Sequence, residues 1–238
     1  MNGRQVAVVL GVGPGLGRAV ARRFAAGGYA VGLMARGRDK LEPVQGEIEG
    51  AGGKAVAITC DVTEPESVAQ AFGRLRDVLG EPRVFVYNAG AFHMGRLLDI
   101  SPEQFEQCWK ANCYGAFLGA RQVLPAMVER GAGTVILTGA TAALRGGAGF
   151  ACLAVGKFGL RAVAQCLARE YGPQGIHVAH VVVDGQIDTP KLRARDPDRP
   201  RDTLLDPQAI AETYWQLHAQ DPSAWTLELD LRPSGEKF

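Results

Sequence analysis

The arrangement of apolar residues restricts this chain more than any other feature. Short continuous apolar runs, near 5–10, 29–34, 55–59, 83–87, 134–138 and 176–183, alternate with longer stretches of helical character. A strand that is apolar along its whole length must be covered on both faces. A strand–helix–strand alternation then demands parallel pairing with the helices outside. Helices are predicted over about 16–26, 38–50, 65–79, 102–129 and 149–171, the fourth bent at Pro125. A further helix near 207–219 and a strand near 225–231 close the chain. The expectation is an α/β fold with one doubly wound parallel sheet of about seven strands and helices on both faces. No linker divides the chain, so 1–238 is read as one domain. The stretch after the sixth strand, 191–206, holds five basic and four acidic residues with Pro197 and Pro200. It reads either as a solvated connection or as a polar lid over the strand ends.

Composition narrows the function classes. Lys and Arg number 26 against 25 Asp and Glu, which argues against a nucleic-acid binder driven by bulk charge. The five cysteines, 60, 108, 113, 152 and 166, are odd in number and form no CxxC pair, so they read as reduced thiols. No apolar run approaches the roughly 18 residues of a membrane span. The run VAVVLGVG reads as a first strand and not as a signal peptide. These points predict a cytoplasmic protein with no membrane or nucleic-acid partner. His177 and His180 have HxxH spacing, but residues three apart on a strand face opposite ways, so no metal site is expected.

The first turn reads Gly11-Val12-Gly13-Pro14-Gly15-Leu16-Gly17. It fits GxxxGxG at Gly11, Gly15 and Gly17, in a strand–turn–helix context where a pyrophosphate meets backbone N–H groups and a helix N-terminus. A Cβ there would block that approach; a tight turn without ligand is the competing reading. The end of the second strand separates NAD from NADP. An acidic residue would accept from a ribose 2′-hydroxyl, whereas arginine would pair with a 2′-phosphate. The chain has Arg36 and Arg38 with no acid before Asp39, and Arg18 just after the glycines. NADP(H) is therefore favoured over NAD(H), unless these arginines are only solvated surface.

These motifs, with Asp61-Val62, Asn88-Ala89-Gly90, Asn112 and Lys157 in order, resemble the short-chain dehydrogenase/reductase family over about 5–190. The resemblance implies a Rossmann fold and roles for matching residues. Asp61 and Val62 would hold the adenine, and Asn88, Ala89 and Gly90 would flank the cofactor. Lys157 would bond the nicotinamide ribose, and Gly185, Ile187 and Thr189 would lie at the nicotinamide end. A homodimer or homotetramer built on the helices at 102–129 and 149–171 is also implied. Periodicity independently puts Asn112 and Lys157 on apolar helix stripes, where a polar group needs a partner.

The chain then departs from the family's chemistry. The tyrosine position, four before Lys157, holds Leu153, and the serine position after the fifth strand holds Ala140. Neither supplies a hydroxyl. The usual Pro-Gly after strand six is Asp184-Gly185. Asn112, Lys157, Thr141 and His93 remain as candidate catalytic groups. Thr141 offers a hydroxyl beside the vacant position, and His93 a group that titrates near neutrality. The expected function is oxidation or reduction of an alcohol or carbonyl small molecule by a modified proton route. The alternative is a non-catalytic NADP(H)-binding protein, structural or redox-sensing.

Overall fold

A computed structural model describes residues 4–235. The elements are β1 (Val6–Leu10), α1 (Leu16–Ala26), β2 (Ala30–Ala35), α2 (Glu42–Gly50), β3 (Lys54–Thr59), α3 (Pro65–Leu79) and β4 (Pro82–Tyr87). Then come α4 (Pro102–Trp109), α5 (Gly115–Arg130), β5 (Gly133–Thr138), α6 (Ala151–Tyr171) and β6 (Ile176–Val183). The last part holds β7 (Gln186–Ile187), α7 (Pro190–Arg195), β8 (Leu204–Leu205), α8 (Pro207–His218) and β9 (Glu228–Leu231).

Seven strands form one parallel sheet in the order β3-β2-β1-β4-β5-β6-β9. Alternate residues of β1 serve opposite faces. Val6, Val8 and Leu10 pack toward α3, α5 and α6, while Ala7 and Val9 pack toward α1, α2 and α8. The apolar runs are thus the centre of a three-layer sandwich, as a sheet covered on both sides requires. The chain winds outward through β2 and β3, then crosses back to pair β4 with β1. The crevice between the carboxyl ends of β1 and β4 is the position where such sheets bind ligands.

Three local expectations change. The helix predicted over 102–129 is interrupted not at Pro125 but at Lys110–Tyr114, a turn of π-helix. Pro125 sits inside α5 without ending it. Side-chain bonds account for the interruption: the Asn112 side chain donates to the Cys108 carbonyl at 2.9 Å. Tyr87 Oη donates to the Ala111 carbonyl at 2.6 Å. Both carbonyls are satisfied from outside the regular helical ladder, which lets the turn widen. The polar segment 191–206 is not a bare loop. Thr189 caps α7, and β8 pairs with β7. Bidentate contacts of Arg193 with Asp188, both 2.7 Å, brace its base. Finally, residues Ala151–Gln174 are long and apolar enough to cross a membrane by length and composition, contrary to the expectation from the sequence. α6 packs against β6 and holds the Lys157 side chain in the interior, the arrangement of a core helix.

Candidate functional site

The glycine turn and the end of β4 are locked together. Asn88 donates its backbone N–H to the Leu10 carbonyl at 2.8 Å and its side-chain amide to the Gly11 carbonyl at 2.8 Å. Gly11 has φ +106°, and a Cβ on it would collide with the Ala89 backbone. A Cβ on Gly17 would lie 2.5 Å from the Gly11 carbonyl oxygen. These two glycines are required by the protein's own backbone, a demand beside that of admitting a pyrophosphate. At Gly15 a Cβ would lie 2.7 Å from the Thr189 methyl group, whereas Gly13 faces open space. Leu16 is buried at the start of α1.

A groove of about 270 Å³ runs from this turn along the sheet edge. It is lined by Gly11, Gly13, Arg36, Asp61, Val62, and Asn88 through Gly90, among others. The Asp61 carboxylate accepts from the Thr63 N–H at 3.0 Å and from its hydroxyl at 2.8 Å, which fixes the turn after β3. Arg18 is not on the groove. Its guanidinium pairs with Glu47 at 2.8 Å and 2.9 Å, so the second positive charge expected from it is already committed. Lys40 stands on the groove beside Arg36 instead, four residues along on a short 3-10 turn that the sequence reading missed. Arg38 pairs with Glu42 at 2.7 Å.

Beside Gly90 lie two buried polar groups. Asn112 is fully buried, its amide nitrogen donating to the Ala91 and Cys108 carbonyls at 2.7 Å and 2.9 Å. Its Oδ1 is buried with no partner among the described residues. Lys157, 7% exposed, donates to the Thr138 carbonyl at 2.7 Å. Burial lowers its pKa from 10.5 to about 8. A Cβ on Gly90 would stand 2.9 Å from Asn112 Oδ1 and 4.0 Å from Lys157 Nζ. An unfilled acceptor and an ammonium with spare N–H groups therefore border the same side of Gly90. Glycines, a buried lysine and an orphaned amide oxygen fit a dinucleotide whose sugar carries hydroxyls that both donate and accept.

A second cavity, about 570 Å³, lies where the chain after β4, the turn after β5, the start of α6 and the end of β6 come together. Its wall includes Ala140, Thr141, Leu153, Gly185, Arg145 and the Phe92–Phe150 ring pair at 5.6 Å. No serine, tyrosine or histidine is part of that lining. Thr141 donates its hydroxyl to Asp184, whose other carboxylate oxygen lies 3.4 Å from Arg232 Nε. His93 is brought to neither cavity; its ring packs over Gly95 in its own loop. Thr189 uses its hydroxyl to cap α7 by accepting from the Leu192 N–H at 3.2 Å. The Asp184–Arg232 contact joins residues 48 apart, and nothing in the sequence signalled it.

A glycine crevice at the β1/β4 switch, with a buried lysine on the helix after β5, defines a nicotinamide-type Rossmann protein. The chain belongs to the short-chain dehydrogenase/reductase family: residues 5–200 match the family model described as short chain dehydrogenase. It is 31% identical over 222 residues to 1-deoxy-11-beta-hydroxypentalenate dehydrogenase of Streptomyces exfoliatus, covering 91% of this chain and 80% of that protein. A short-chain dehydrogenase from Rhodopseudomonas palustris superposes with TM-score 0.83 at 37% identity, covering 96% of this chain and 98% of the other. An alcohol dehydrogenase from the archaeon Thermococcus sibiricus, solved with 5-hydroxy-NADP, superposes with TM-score 0.88 at 27% identity, covering 98% of each chain.

Proposed function

We propose that this protein is an NADP(H)-dependent oxidoreductase of an alcohol or carbonyl small molecule, working without the family's usual serine and tyrosine, whose positions Ala140 and Leu153 occupy. The observation that carries the reading is the pair at Gly90: a buried Lys157 and a buried, partnerless Asn112 Oδ1, both within 4.0 Å of where a Gly90 Cβ would stand. Bound there, a nicotinamide would supply hydride exchange. Arg36 and Lys40, with no carboxylate of the β2 end among the groove lining, support the 2′-phosphorylated form. The alcohol dehydrogenase solved with 5-hydroxy-NADP supports the same choice.

The chain's own residues then handle the proton. A Thr141 hydroxyl whose hydrogen is committed to Asp184 presents its oxygen as an acceptor. In the oxidative direction the substrate O–H proton passes to Thr141 Oγ1 while the Thr141 proton moves to the Asp184 carboxylate. The hydride that leaves the adjacent carbon would pass to a bound oxidised nicotinamide. Arg232 holds the Asp184 carboxylate in place at 3.4 Å. Lys157 and Asn112 would orient the sugar. Thr189 and Ile187, at the base of the 190–206 segment, support that segment as a cover for the mouth. The non-catalytic alternative is favoured by one observation, the absence of serine, tyrosine and histidine from the cavity wall.

A homodimer is proposed through the outer faces of α4–α5 and α6, where Trp109, Phe117, Val155 and Phe158 are exposed. The five cysteines are free thiols, which supports a reducing, cytoplasmic setting. The deciding test is thermal shift with NADPH and NADH, followed by an alcohol and ketone panel read at the nicotinamide absorbance. NADPH is expected to stabilise more than NADH, and Arg36→Ala with Lys40→Ala to abolish the difference. Turnover that drops about a hundredfold in Thr141→Val supports the enzyme. Binding with no turnover across the panel supports the alternative.

A further inference from the structure

The cavity beside Ala140 and Leu153 carries one charged side chain. Arg145 lines it, and the guanidinium has no ion pair or hydrogen bond among the described residues. No acidic residue belongs to the lining. The neighbouring carboxylate, Asp184, is already occupied by Thr141 and Arg232. Thr141 and Gln186 are the other polar side chains of the wall; its apolar part is the tilted Phe92–Phe150 pair with Ala140, Leu153 and Val183. The loop that supplies Phe92 also exposes Met94, Leu97 and Leu98, the last at 97%. Met94 reaches toward Gly149, 3.7 Å from where a Cβ would stand. The volume, about 570 Å³, falls in the range that encloses a small organic molecule.

We infer that the substrate is an apolar-bodied alcohol or ketone carrying a carboxylate, with Arg145 as the anchor for that group. Arg145 is exposed at the rim of the cavity, and a planar fork with no internal partner selects a carboxylate that can meet it with two parallel hydrogen bonds. One guanidinium, with no lysine and no second arginine in the lining, matches a single negative charge. Gly146, with open space around it, and Gly147 follow Arg145 directly and leave the side chain room to close on the ligand. The aromatic pair supplies the surface for the body of the molecule.

This inference rests on the oxidoreductase reading, and two measurements keep their failures apart. Isothermal titration of naphthoate and naphthamide reads the anchor without any turnover. The acid is expected to bind roughly three- to fivefold more tightly than the amide, the upper end for an exposed charge pair. Arg145→Met should bring the ratio to near one, and Arg145→Lys should restore part of it. Equal binding of acid and amide, no binding of either, or an unchanged ratio in Arg145→Met overturns the assignment. NADPH titration, and oxidation of hydroxycyclohexanecarboxylate against its amide with added NADP+, are run on the same preparation. A preserved acid preference without NADPH binding refutes the cofactor reading and leaves the anchor standing.

Discussion

A methyl group added at Gly17 would press against the Gly11 carbonyl oxygen at 2.5 Å and Val12 Cα at 2.8 Å, both rigid backbone. At Gly13 the same methyl would meet nothing within 4 Å. Gly17→Ala is therefore expected to destabilise by about 3 kcal/mol, and Gly13→Ala to stay within about 0.5 kcal/mol. Urea denaturation of the two variants side by side checks the contrast. Lys157 shows the reverse situation, a group retained at a cost. Burial moves its pKa from 10.5 to about 8, so below pH 8 the folded protein bears the charge where solvation is poor. Between about 8 and 10.5 the unfolded chain binds more protons, and stability should climb with pH across that window. At neutral pH, Lys157→Met is expected to raise stability by about 1–2 kcal/mol, the relief of desolvation less the bond to Thr138. It should also weaken NADPH binding. A variant that is both less stable and unimpaired in binding would refute that account.

The helix that carries Asn112 is where element-level rules were followed and then overridden. Its start obeys local chemistry: Ser101 and Gln104 form a reciprocal capping box, with Pro102 in the first turn. The widened turn at Lys110–Tyr114 has no such signature, because Tyr87 and the Ala91 carbonyl that hold it come from another strand and its loop. Periodicity marked Asn112 as a polar residue on an apolar stripe, and that much was correct. Where its amide would point depended on partners 21 residues away. Pro125 is exposed inside α5 and removes one helical hydrogen bond. Pro125→Ala should stabilise by about 1–3 kcal/mol, read as a higher Tm with unchanged NADPH affinity. A lowered Tm would mean that the proline fits a bend the helix needs.

Three histidines tie the two helical layers to pH. His177 stacks on Trp225 with ring centroids 5.0 Å apart, and His180 meets Glu228 at 2.9 Å, with Lys157 and Arg161 also near. His218 bridges Tyr29 and Thr134 at 2.6 Å and 2.8 Å. Desolvation is the leading cause that lowers all three, His218 to about 4. Folded values below 6.5 mean that the unfolded chain takes up protons first as pH falls. Stability is thus full above about 6.5 and declines toward 4. Melting at a series of pH values should show that decline, and His218→Gln should make it shallower. An identical slope in the variant would remove His218 from the explanation. The parallel sheet, its helical layers and the glycine crevice were all present in the one-dimensional pattern, because apolar periodicity and turn chemistry act between near neighbours along the chain. The partners of charged groups were not. Arg18 turned to Glu47, Thr141 to Asp184, and Asp184 to Arg232, while Arg36 and Arg145 were left facing cavities. Which of several similar charges is neutralised depends on distances across the folded chain, since an ion pair forms between groups that the packing of strands and helices brings within a few ångströms.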